Sequence, residues 1–279
     1  LIDMRYHVIS LVAVFLALGI GILLGTTLVE RGLIAEQKAQ IRSLKATFDE
    51  IKTKNTSLNS KLEAYKRFAD ESRPYLVANM LPGKTYAVLT GEDPDEGTLS
   101  RINDGIAAAG GSVPVTITIA SSKKFADPSV IANLATLFTM APSQQDLENR
   151  VFAEIMNQLR TAENTGILTT MDKLGVIHMR GSLTAPVAGA ILNGPVDTGA
   201  LDKTDAPLID TFVSTAFPMV GVCGSNAQDS VLLLYKKHGI STVDHVDTVP
   251  GQVALDMSLA GKPGHYGSGS AANRMLPPP

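Results

Sequence analysis

The sequence has no tryptophan, and only 5% of its residues are aromatic. A surface that stacks bases or sugars needs such rings, so that class of binding has little to build on. Cysteine occurs once, as Cys223, so an intrachain disulfide is excluded. A buried free thiol is expected there, with a disulfide between two copies as the alternative. Neither charge sign dominates: 24 Lys and Arg stand against 27 Asp and Glu, a formal net charge of -3. That balance gives no case for nucleic acid. No G-x-G-x-x-G follows the first predicted strand and no Walker P-loop occurs, so a nucleotide site is without support. M-x-x-M and C-x-x-C are absent as well, and His7, His178, His238, His245 and His265 are scattered. A soft-metal site would want such ligands clustered.

What the chain does have begins at Val8. VISLVAVFLALGIGILLGTTLV, ending at Val29, is uncharged and apolar. A helix that crosses a bilayer needs roughly 20 such residues. The run is longer than the apolar part of a cleavable signal, and TTLVERG offers no convincing cleavage site, so an uncleaved anchor over 1–29 is expected. Ala13, Ala17, Gly21 and Gly25 recur every fourth residue and form a small-residue ridge. Such ridges let two membrane helices approach closely, although Gly and Ala are also simply common in them.

A heptad pattern follows at 30–73. Ile34, Ile41, Phe48, Asn55 and Leu62 fall at a, and Leu44, Ile51, Leu58 and Tyr65 at d. Apolar a and d positions predict a coiled coil, here roughly 60–65 Å long. Asn55 at a favours a parallel pair, since two buried amides can satisfy each other. Lysines at Lys38, Lys45, Lys52, Lys54, Lys61 and Lys66 flank the core, so ion pairs across the seam do not hold it. Glu50–Lys54 and Glu63–Arg67 are spaced to pair within one helix. The basic seam reads as a solvated face or as a place for an acidic partner. Pro74 and then Leu81-Pro82-Gly83-Lys84 are expected to end the helix.

Residues 84–267 leave enough chain for one domain with a buried core. Strands are predicted at Thr85–Gly91, Val113–Ala120, Gly175–Met179, Ala188–Leu192, Met219–Cys223 and Ser241–Val246. Helices are predicted at Thr98–Ala109, Pro128–Phe138, Gln144–Arg160, Asp205–Phe217, Asp229–His238 and Gly251–Ala260. Such alternation predicts an α/β, Rossmann-like domain with a mostly parallel sheet. The tail at 268–279, within GSGSAANRMLPPP, is expected to be flexible.

Ligands of such sheets sit at the carboxyl ends of strands. There Glu92, Asp93, Asp95 and Glu96 could hold a hard cation through oxygen. Acids also favour a helix amino end for electrostatic reasons alone. Cys223, in Gly221-Val222-Cys223-Gly224-Ser225, is near a nucleophile elbow, with His245 and Asp244 or Asp247 as a base and its orienter. Small residues at a turn explain the same stretch. His178 and Met179 are adjacent on a strand and should point to opposite faces.

The whole order runs from RYHVISLVAVFLALGIGILLGTTL through the heptads and LPGKTYAVLTG to VDHVDTVPGQVALDMSLAGKPGHYG and a final LPP. It resembles the MctB-type copper transport protein family of Gram-positive bacteria over nearly its full length. The resemblance implies a single-pass cell-membrane protein with an extracytoplasmic α/β domain on a stalk, and a role in copper homeostasis. SteB-like relatives imply instead a division-related envelope protein that acts with a cytoplasmic partner to regulate peptidoglycan hydrolysis. Charge alone points the other way on orientation, since Arg31, Lys38, Arg42 and Lys45 follow the span. Three functions are thus in competition. The first is a non-enzymatic homodimer, paired through its membrane helix and coiled coil, that binds an envelope or cytoplasmic protein. The second is a copper transport component using Met and His. The third is a cysteine-dependent enzyme.

Overall fold

The computed structural model describes residues 4–163, 166–195 and 201–278, with side chains at all of these except 26–35 and 201–204. The chain divides into two units, one up to Arg67 and one from Phe68 onward.

Helix α1 runs from Met4 to Val77. Its start, Met4–Gly25, is long and apolar enough to cross a membrane. Pro74 lies inside α1 rather than ending it. A proline removes one backbone hydrogen bond and costs about 3 kcal/mol in a helix interior. Beyond it Val77 is fully buried, and the Arg73 guanidinium donates to the carbonyl of Asp104. Those contacts hold the last turn helical past the proline.

The second unit continues with β1 (Thr85–Thr90), α2 (Glu96–Ala108), β2 (Ser112–Ile119), α3 (Ser122–Phe125), α4 (Pro128–Phe138), α5 (Gln144–Thr161) and α6 (Ile167–Lys173). Then come β3 (Ile177–Gly181), β4 (Gly189–Asn193), α7 (Leu201–Ser214), β5 (Met219–Val222), α8 (Asp229–Lys237), β6 (Ser241–Val243), α9 (Val249–Leu259) and β7 (His265–Tyr266). The strands form one sheet in the order β3-β2-β1-β4-β5-β6-β7. Every pairing is parallel except that of β2 with β3. The first six strands follow the order of doubly wound folds, with β3 reversed.

Each strand divides its side chains between two layers, as a period of two requires. Tyr86, Val88, Ile191, Val222 and Val243 pack with Leu99, Ile102, Ile106 and Val253 of α2 and α9. Leu89, Ile117 and Leu192 pack on the other face with Phe125, Phe152, Ile155 and Phe212. Phe125 and Phe152 meet edge to face at 6.1 Å.

Caps set several helix starts. Asp127 accepts from Ser129 N, with Pro128 in the first turn of α4. Ser143 caps α5, and Thr248 caps α9, which begins at Val249, two residues before the expected Gly251. The short elements α3, α6 and β7 were outside the sequence expectation. Residues 267–278, which include most of the 268–279 tail expected to be flexible, make specific contacts. Gly267 N donates to Arg274 O and Asn273 N to His265 O, each at 2.9 Å, while Ala271 and Pro277 are buried. This segment lies along β7 and covers that side of the sheet.

Candidate functional site

Winding changes direction between β1 and β4, which is where doubly wound folds open a crevice. Thr90 ends β1 and Asn193 ends β4, side by side in register and both buried. The Asn193 amide nitrogen is 3.5 Å from the Thr90 hydroxyl, and its carbonyl oxygen is buried without a partner. Above them α2 begins. Asp95 caps it, accepting from Gly97 N at 3.0 Å, Thr98 Oγ1 at 2.9 Å and Asn226 Nδ2 at 3.3 Å. Those donors, the Thr98 hydroxyl first, hold the Asp95 carboxyl below its usual range. The amino end of α2 is therefore occupied by the chain's own carboxylate, where a phosphate would otherwise sit.

The rest of the acidic loop is dispersed. Glu96 pairs with Arg180 of β3. Glu92 and Asp93 are exposed, and Asp93 has φ 53°. Among the described residues no three His, Cys, Asp or Glu side chains gather where they could hold a metal ion. His178 is exposed beside Asp172 at 3.3 Å, while Met179 packs towards the core. Of the other histidines in the second unit, His238 bonds Asp210 at 2.7 Å, His265 bonds Thr242 at 3.0 Å and His245 lies beside Asp244.

Cys223 follows β5 and is buried and unpaired. Burial, then the nearby Asp244 charge, pushes its thiol up to about 12. A thiolate nucleophile needs the opposite environment. Its expected helpers are committed elsewhere. Asp247 accepts from Ser225 N at 2.8 Å and from the Ser225 hydroxyl at 2.7 Å. Asp244 is buried and accepts from Ser268 N at 2.9 Å and from Gly269 N. His245 Nδ1 lies 3.1 Å from Asp244 Oδ1, yet it is a buried nitrogen with no hydrogen bond. His245 and Asp244, the expected base and orienter, thus stand side by side next to Cys223, but the Asp244 carboxylate is already bonded to the backbone of 268–269.

Two glycines show how tight this edge is. A Cβ on Gly224 would stand 2.5 Å from Thr98 Oγ1. One on Gly267, at φ +132°, would stand 1.6 Å from Asp244 Oδ1. Asp229, at the start of α8, takes Ser270 N at 2.8 Å, and that bond draws its carboxyl down. So Gly267–Ser270 wraps two carboxylates with backbone N–H groups. These bonds tie the tail to the ends of β6 and α8.

Sequence reasoning missed the buried polar groups beneath. Asp256 of α9 is fully buried with neither oxygen hydrogen-bonded, and burial raises its carboxyl to about 7 against the opposing Arg73 charge. Asp205 receives the Tyr235 hydroxyl at 2.7 Å and is raised to about 6 by burial. A single acid inside QVALDMSLA was the one available signal for Asp256.

In the first unit, Ile41, Leu44, Phe48, Ile51, Leu58, Leu62 and Tyr65 are between 50 and 72% exposed on a single helix. Asn55 is exposed among them. Ile34 lies outside the residues whose side chains are described. Ala13, Ala17, Gly21 and Gly25 are exposed, and a Cβ on either glycine meets nothing within 4 Å. Lys54 pairs with Glu50 at 2.7 Å as spaced; Glu63 pairs with Lys66 at 3.2 Å rather than with Arg67.

Residues 1–277 match the family model described as "Copper transport outer membrane protein, MctB". Similar proteins include "Copper transporter MctB" of Mycobacterium tuberculosis and of Mycobacterium bovis, each 23% identical over 98% of both chains. The protein of the same name from Mycobacterium leprae is 23% identical over 100% of both. Anchor, heptads and α/β domain all fall inside the family match, and the chain belongs to the MctB copper transport outer membrane protein family.

Proposed function

We propose that this protein is a membrane-anchored homodimer with its α/β domain outside the cytoplasm, and that it works by binding other proteins rather than by catalysis. The observation that carries the reading is the line of apolar a and d side chains, Ile41 to Tyr65, left uncovered on a single α1. A second copy in parallel covers them all at once, and Asn55 then meets Asn55. The small-residue ridge at Ala13, Ala17, Gly21 and Gly25 continues the pairing into the membrane. The biological process we assign is regulation of peptidoglycan hydrolysis at division, supported by the resemblance to SteB-like envelope proteins. The inaccessible Cys223 thiol and the committed Asp244 and Asp247 favour binding over an enzyme.

The test is cysteine cross-linking of the full chain in membranes, on a Cys223→Ser background. Leu58→Cys, at d, should give a disulfide-linked dimer; Ser57→Cys, on the outer side at c, should give little. Equal yields at the two sites would sink the parallel pair.

A second reading, copper binding, is favoured by the family description and by the relatives' names. In it Met and His side chains from two copies combine. Competition against a calibrated copper(I) chelator, using full-length protein with Cys223→Ser as control, decides it. Tight stoichiometric binding that survives the substitution would favour copper over partner binding alone.

A further inference from the structure

The two sides of the sheet are finished differently. Along β7 the 267–278 segment supplies a bridge at Tyr266 and Arg274 and the hydrogen bonds described above. On the opposite side β3 has β2 as its sheet neighbour and, among the described residues, nothing paired beyond it. Antiparallel residues alternate between bonding towards one neighbour and turning away from it. Ala120 N bonds Val176 O and Ser182 N bonds Pro114 O, each at 3.0 Å, with His178 facing Thr118 and Arg180 facing Thr116 between them. The even-numbered residues therefore bond β2. Ile177, Met179 and Gly181 turn their N–H and C=O groups outward, and among the described residues those groups have no partner.

A cavity of about 350 Å³ adjoins this edge. Met179 and Gly181 line it together with Leu168, Leu183, Gln158 and Glu163. Leu168, Met179 and Leu183 give it an apolar wall. Glu163 is the one charged residue among its described lining and is exposed at the rim.

We infer that the β3 edge and this cavity together receive an extended segment of a partner protein, which adds an eighth strand. Only extended backbone offers donors and acceptors at the spacing of Ile177, Met179 and Gly181. An added strand lies about 4.8 Å from β3, with alternate side chains on the face where the cavity opens. The segment places an aliphatic or aromatic side chain against Leu168, Met179 and Leu183. A basic side chain beside it answers Glu163. Backbone pairing supplies affinity and the cavity supplies selectivity. The inference rests on the partner-binding reading above and gives that reading a surface on the head.

The experiment uses full-length protein in lipid nanodiscs and a phage-displayed library of random twelve-residue peptides, depleted first on Met179→Pro protein. Proline at 179 removes only an outward N–H, so the bonds to β2 survive, and edge strands tolerate it there. Glu163→Lys, at an exposed position, keeps the test standing if Met179→Pro fails to fold. Enriched peptides should combine an apolar residue with a nearby basic one. They should lose at least tenfold in affinity on each variant and slow amide exchange at Ile177, Met179 and Gly181 at least tenfold. The inference is overturned if nothing is enriched, or if enriched peptides bind the variants equally well. It is also overturned if the three amides are already protected in the protein alone, which would mean a second copy fills the edge. Stalk cross-linking through Leu58→Cys reports independently on the dimer, so either failure can be told from the other.

Discussion

Between Ile41 and Tyr65 the apolar a and d side chains stand clear of a single helix, whereas Tyr86, Val88, Ile102 and Val253 of the head keep almost no surface. Both regions are read from apolar periodicity, at 3.5 residues in one and at 2 or 3.6 in the other. The head closes its own pattern, because strands and helices of one chain supply both sides of each layer. The stalk cannot, since one helix has only one face to offer. Burying a Leu or Ile is worth about 1.5–3 kcal/mol. The stalk's share of that stabilisation is therefore not realised within the single helix.

Opposite substitutions should separate the two regions most strongly. Phe152→Ala empties part of the core where Phe152 meets Phe125, and should cost the head about 3–5 kcal/mol. Thermal unfolding of the full chain would show it, with the cross-linking yield at Leu58→Cys unchanged. Ile51→Asp should do the reverse, abolishing cross-linking and leaving head unfolding as it was. If Ile51→Asp also lowers head stability, the stalk and head are not separate in the way described.

Protonation sharpens the same contrast, because buried acids belong to the head. Asp256 has a carboxyl raised by burial from 3.8 to about 7. The folded state then binds more protons than the unfolded chain between those values. Its contribution is fully present below about pH 4 and is lost as pH rises through about 7, a span worth roughly 4 kcal/mol. Asp205, raised to about 6, has the same sign. Head stability should fall between pH 5 and 7.5, and Asp256→Asn should flatten most of the slope. An unchanged slope in that variant would assign the effect elsewhere.

The cap on α2 gives a smaller effect of known cause. Asp95→Ala removes an acceptor shared by Gly97 N, Thr98 Oγ1 and Asn226 Nδ2. Losing a cap costs about 0.5–2 kcal/mol. Because the Asp95 carboxyl is drawn down, its contribution is present above the ordinary carboxylate range and lost as pH falls below it. Chemical unfolding at pH 7 and pH 3 should therefore show a difference between Asp95→Ala and the native chain that shrinks in acid.

These cases also show what could be read without coordinates. The strands and the longer helices were legible because their periodicity is local, and the expected helix at Pro128–Phe138 matches α4 residue for residue. Short α3, α6 and β7 hold too few residues for a period to emerge. The last turn of α1 was lost because proline chemistry is local, while the burial of Val77 that offsets it is not. The contacts of the tail were hidden for the same reason. GSGSAANRM looks like linker, yet its N–H groups serve Asp244 and Asp229, 24 to 41 residues earlier in the chain. Of the acidic loop the sequence showed the four acids; it could not show that Asp95 caps α2 or that Glu96 would be drawn to Arg180.

The smallest expected effect lies in the membrane-spanning start, where the hydrophobic contrast between stalk and head disappears. Lipid is as apolar as leucine, so pairing there depends on close packing. A Cβ on Gly21 would meet nothing within 4 Å in a single helix, so any penalty for a larger side chain comes from a second helix. If Ala13, Ala17, Gly21 and Gly25 form the contact ridge, Gly21→Ile should weaken self-association in a membrane dimerisation assay by roughly 1 kcal/mol. Ile22 faces away from that ridge, one position around the helix, and Ile22→Leu conserves its volume, so its effect should be close to zero. Equal effects of the two substitutions would remove the ridge from the proposed interface and leave the heptads of α1 as the whole of the proposed pairing.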